Sequence, residues 1–168
     1  MRFQILISLS FSFYVLLFSC NSKTKNSATT TPFKQKTTKR LSSNSNYQIS
    51  IWDSYSIEDR NGPDFTVYYF YPTDTAKELF GNGGIYFGGH PQPIRPDGEK
   101  KLIGDSLSNG NLLGKKITWT IFNYGNTLSA ETILELGDYD KVSAFAYGHS
   151  YSDIDSLIGI LESLKLDK

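Results

Sequence analysis

Cysteine is nearly absent from this chain: Cys20 is the only one in 168 residues. No intramolecular disulfide can form, and cysteine-ligated zinc and iron–sulfur clusters are excluded. Histidine is almost as scarce, with only His90 and His149. No H-x-x-x-H or H-E-x-x-H spacing occurs, so no metal site of those types is encoded. There is no G-x-S-x-G or S-x-x-K for a serine nucleophile, no dinucleotide fingerprint and no Walker lysine. Long apolar runs are missing too. The one candidate, "ILISLSFSFYVLLF" at 5–18, falls short of the ~20 residues that a membrane span needs.

That run is the right length for the apolar region of an export signal, and Arg2 supplies its positive start. It ends in "LFSC", with Leu17 three residues before Cys20 and Ser19 just before it. This resembles the lipobox of bacterial lipoproteins, although Phe18 stands where that pattern favours a smaller residue. The resemblance implies a signal peptide over 1–19, cleavage before Cys20, and acylation (palmitate) of Cys20. The mature chain would then hold no thiol at all. Each buried acyl CH₂ contributes ~0.8 kcal/mol and stable anchoring takes about two chains, so such a protein stays on its membrane. The implied location is the bacterial cell envelope, outside the cytoplasm.

Acidic residues are missing from 21–45, "NSKTKNSATTTPFKQKTTKRLSSNS". Lys23, Lys25, Lys34, Lys36, Lys39 and Arg40 make this tract basic, and it has little apolar surface to offset ordering entropy. Its composition predicts a disordered basic tether over 20–45 that is dispensable for folding. All 17 acidic residues fall in 46–168, against ten basic ones, a net charge of −7. A domain so charged is a poor nucleic-acid binder, which needs a basic face.

Residues 46–168 are of single-domain size. Alternation dominates: "YQISIWDSYSI", "DFTVYYFYP", "GGIYFGG", "KKITWTIFNY", "ETILELG" and "KVSAFAYG" read as strands. Turn signals such as "NGP", "RPDG", "SNGN", "YGN" and "GDYD" lie between them, and connections this short imply antiparallel pairing. "TDTAKELFG" has a capping-box spacing, Thr75 to Glu78, with Gly81 as its closing residue. The C-terminal segment carries Ile154, Leu157, Ile158, Leu161 and Leu164 at helical spacing, with Ser152 as the expected N-cap and Lys165 in the last turn. The expected fold is α+β: an antiparallel sheet of about six strands with a C-terminal helix packed on one face. The closing strand–turn–helix, "VSAFAYGHSYSDIDSLIGILESLKL", resembles the end of Mog1/PsbP-like α-β-α sandwich domains. That family is mostly described as binding and assembly factors, which implies a non-catalytic role.

His90 lies in the glycine- and proline-rich "GNGGIYFGGHPQPIRPDG", and His149 in the turn before the last helix, with Asp153 positioned to orient its ring. Glu131 and Glu135 share a strand face, the usual pattern of a solvated sheet surface. Aromatics are abundant, and "VYYFY" puts them on both faces of one strand. Phe65, Val67, Tyr69 and Tyr71 are expected beneath the helix, and Tyr68 and Phe70 on the opposite face. Tyr and Trp combine contact area with a polar handle. Trp52, Tyr68, Phe70 and His90 are therefore the candidate binding surface, with no catalytic residue, metal or cofactor assigned. The expectation is a membrane-anchored binding or assembly module whose partner is an envelope protein or polymer. The alternatives are a small hydrolase using His90 or His149, and an immunity or inhibitor lipoprotein.

Overall fold

Alternating β-branched and aromatic residues, broken by short polar turns, build two antiparallel sheets. The computed structural model describes residues 36–43, 45–73, 81–92, 101–138 and 140–167. The expected signal segment, Cys20 and the tract up to residue 35 lie outside these, as do residues 74–80, which carry the capping-box spacing, and the "RPDG" segment. The strands are β1 (Lys36–Arg40), β2 (Tyr47–Trp52), β3 (Tyr55–Asn61), β4 (Phe65–Pro72), β5 (Asn82–Gly88), β6 (Gly104–Leu112), β7 (Lys115–Asn123), β8 (Leu128–Glu135), β9 (Lys141–Gly148) and β10 (Lys165–Leu166). One helix, α1 (Tyr151–Leu161), follows β9. The larger sheet runs β3-β4-β5-β9-β8-β7-β6 and the smaller β1-β2-β10. Among the described residues no helix is long and apolar enough to cross a membrane.

The smaller sheet and α1 both cover one face of the larger sheet. Ile49 and Ile51 of β2 join Ile154, Leu157, Ile160 and Leu161 of α1 in a single core with Phe70, Ile85, Trp119, Ala144 and Ala146. The small side chains of Ala144 and Ala146 let α1 approach β9 closely. The helix starts two residues earlier than expected. Ser150, not Ser152, is the N-cap, and it exchanges capping-box bonds with Asp153. The helix also stops before Lys165, which lies in β10 instead. Glu162 ties the helix end to the sheet by accepting from Trp119 Nε1 at 3.0 Å.

Further expectations are corrected. The larger sheet has seven strands, not about six. The single strand read over "YQISIWDSYSI" is broken at Asp53-Ser54 into β2 and β3, which belong to different sheets, and β6 is a polar edge strand that contains the "SNGN" read as a turn; the turn to β7 is Leu113-Gly114. The tether does not extend to residue 45. Lys36–Arg40 pair with β2, and Leu41 is buried at 4% exposure. The basic side chains of β1 find partners on the domain: Lys36 lies over the Trp52 ring at 5.6 Å, and Arg40 pairs with Asp167. Finally, the faces of β4 are inverted. Tyr68 and Phe70 point into the core, while Phe65, Val67, Tyr69 and Tyr71 occupy the face away from α1. Aromatics on both sides of the strand hide its parity. The ladder decides it, pairing Tyr68 with Ile85, which in turn pairs with Ala144.

Candidate functional site

The face of the larger sheet that turns away from α1 carries a row of aromatic side chains. No described element packs over it, and Ile133 and Leu107 stand on it at 50% and 72% exposure. Its centre is a groove of about 370 Å³ over β4, β5 and β9. The strand pleat puts Val67 and Phe145 on the groove floor, with Phe65, Tyr69 and Tyr86 half-buried along its walls. Phe65 and Tyr86 stack at 5.6 Å between centroids, with 20° between planes. Phe145 meets Tyr69 edge-on at 6.0 Å.

Glycines make this arrangement possible. Gly84 and Gly88 are the groove-side residues of β5 on either side of Tyr86. A Cβ on Gly84 would collide with the Phe145 ring, and one on Gly88 would lie 2.9 Å from the Phe65 Cβ. With no side chain at either position, neighbouring rings lie over the β5 backbone instead of standing away from it.

Polar groups gather at one end. Asp64, His90 and Gln92 are exposed at the rim, and Ser143 is buried in the floor at 5% exposure. Arg60 of β3 lies 5.1 Å from the Tyr69 ring centre. Beside it the Tyr71 hydroxyl donates to Glu58 at 2.6 Å, a bond that raises the Tyr71 pKa. Among the described residues no hydrogen bond links Ser143, His90 and Asp64.

No family model, curated protein or solved structure matches this chain. The chemistry of the groove must be read from its own residues.

Of the four surface candidates read from the sequence, only His90 lines the groove. Tyr68 and Phe70 are core residues at 8% and 1% exposure. Trp52 lies on the smaller sheet, half-buried and edge-on to Tyr55 at 5.3 Å. His149 is a helix-cap residue. Its ring Nδ1 lies 3.1 Å from the Asn126 carbonyl, and Asp153 accepts from its backbone N–H, not its ring. His90 follows the C-terminal end of β5, whereas His149 lies past the β9 residue nearest the other end. Seven residues of strand separate them, roughly 20 Å, too far to share a metal ion. Among the described residues no three metal-ligating side chains cluster. Glu135 is exposed and paired with Lys141 at 3.4 Å.

The sequence reading missed Tyr86, Phe145, Ser143 and Asp64. One signal was present: Gly84 and Gly88 are four residues apart on a strand, so both lack side chains on one face. Such spacing marks a place where other groups approach the backbone.

Proposed function

We propose that this chain is an envelope lipoprotein, held on its membrane through acylated Cys20, whose domain works by non-catalytic binding at the outer aromatic groove. The observation that carries this reading is a sheet face lined with half-buried rings, with polar groups gathered at one end. Rings of this kind supply contact area at low entropic cost, and the rim supplies orientation. The partner is an envelope protein or polymer, with membrane lipid engaged by the N-terminus and no nucleic acid. The domain requires no cofactor. A Mog1/PsbP-like relationship of the closing strand–helix unit belongs to the same proposal.

A second reading has one observation in its favour. Ser143, His90 and Asp64 line the same groove, so a small hydrolase would be sited there. Capture of partners from the protein's own envelope separates the two. Tyr69→Ala with Tyr86→Ala should abolish capture, while Trp52→Ala, on the smaller sheet, should leave it intact. If His90→Ala or Ser143→Ala abolishes function while the double tyrosine change does not, the binding reading is wrong and the hydrolase takes its place.

A further inference from the structure

A larger cavity, about 1030 Å³, lies at the sandwich end where the smaller sheet meets the β6–β7 turn. Leu164 is its buried floor, Leu113 and Tyr47 are half-buried walls, and Leu136 and Leu166 stand at the mouth at 40% and 59% exposure. Leucines exposed around a cavity of this size mark an apolar cleft open to a ligand.

The turn beside it has an unusual residue. Leu113 and Gly114 form a two-residue hairpin connection, with φ of 53° and 76°. Positive φ at both positions suits Asn-Gly or Gly-Gly, and a leucine adopts it only at a cost. The side chain held there walls the cleft.

Charge selects the ligand further. Lys115 and Lys165 are exposed on the rim. Among the described residues the one acidic group in the lining, Asp167, has its carboxylate engaged by Arg40 and Gln48. In a domain with an acidic excess, this mouth therefore offers two free-standing cations above apolar walls.

We infer that this cleft binds a single-chain anionic amphiphile of the fatty-acid type. The alkyl chain lies against Leu113, Leu136, Leu164 and Leu166, and the anionic head sits between Lys115 and Lys165. The site is separate from the aromatic groove and does not depend on its function.

The test is photo-crosslinking of the full chain with a diazirine-bearing palmitate, with adducts located by peptide mapping. A diazirine-bearing alkyl trimethylammonium of equal length serves as the cationic comparison. Adducts should concentrate on residues 113–115, 136 and 164–166. Lys115→Glu with Lys165→Glu should lower the yield about tenfold, the scale of one lost charge-assisted contact. Leu113→Asn suits the turn, so the fold is retained while the wall is removed; it should also lower the yield, with an unchanged circular dichroism spectrum. Tyr69→Ala, in the other groove, should have no effect. Scattered adducts, equal labelling by the cationic probe, or yields that neither the lysine changes nor Leu113→Asn alter would each overturn the assignment.

Discussion

Gly84 of β5 and Phe145 of β9 face each other across the ladder, and the Phe145 ring fills the space that a side chain on Gly84 would need. The carbonyl oxygen of Tyr68 closes the same space from the other side, 2.7 Å from that position. The groove floor is thus set by one missing side chain and one large one, and a single methyl group should disturb both the fold and the site.

Gly84→Ala should therefore destabilise the domain by about 1–3 kcal/mol, as overpacking does, and should weaken partner capture. Adding Phe145→Ala removes the colliding ring, so the double variant should cost less than the two single changes together. Urea denaturation of all four proteins decides it. Strict additivity would show that the two residues do not share the space.

The apolar side of α1 gives a second expectation. Leu161 is 1% exposed, and Leu161→Ala should cost about 2–5 kcal/mol. Gly159 is exposed, and the nearest atom to an added Cβ is Lys36 Nζ at 4.0 Å. Gly159→Ala should be neutral or stabilising by up to ~1 kcal/mol. Equal small effects in chemical denaturation would contradict the packing described.

Residues 36–41 should be required for full stability, against the expectation from composition. A chain beginning at Tyr47 loses the β1–β2 ladder, the Arg40–Asp167 pair and the buried Leu41. It should unfold about 2–5 kcal/mol more easily than one beginning at Asn21. Matching midpoints would mean that β1 contributes nothing.

Tyr55 should make the fold sensitive to strong alkali. Its hydroxyl donates to the Gly81 carbonyl at 2.9 Å, and burial followed by the Asp153 charge raises its pKa from 10.0 to about 12. The folded state holds the proton longer than the unfolded one. The contribution is complete below pH 10 and is lost as pH rises towards 12, at up to ~1.4 kcal/mol per pH unit. Tyr55→Phe should lower stability at pH 7 by about 1 kcal/mol through the lost hydrogen bond. The gap between wild type and variant should close above pH 10. A gap constant from pH 7 to 11 would refute the linkage.

Cys20→Ala should release the protein from its membrane. Fractionation after metabolic labelling with a fatty acid checks this, and a soluble, unlabelled wild type would refute the anchor.

The regular parts of this fold were legible because each strand or helix buries one side. β2 and β7 alternate clearly, β9 stands out as a short run of small and apolar residues between turn signals, and α1 carries its leucines at helical spacing. β6 was not legible because an edge strand solvated on both sides needs no alternation. β1 was hidden by its basic residues, and the Arg40 partner, Asp167, lies far along the chain. β4 was visible as a strand, but not which way it faced. Tyr69 and Tyr68 are equally apolar to a pattern, and only cross-strand neighbours such as Ile85 and Gly84 distinguish them. Of the candidate site, His90 was readable from its glycine-rich surroundings. Phe145 was not, because its place over β5 depends on pairing between strands that are sixty residues apart in the chain.

The smaller sheet also has a consequence for the order of assembly. β2 takes β1 on one side and β10 on the other, with Gln48 opposite Lys165 and Tyr47 opposite Leu166. β2 is thus locked by residues more than a hundred positions further along the chain, and Ile49 and Ile51 share their core with α1. Contacts this distant along the chain are slow to form. Closure of the smaller sheet, which needs β10 beside β2, is thus a late step in folding, after the hairpins of the larger sheet, whose neighbours lie close along the chain.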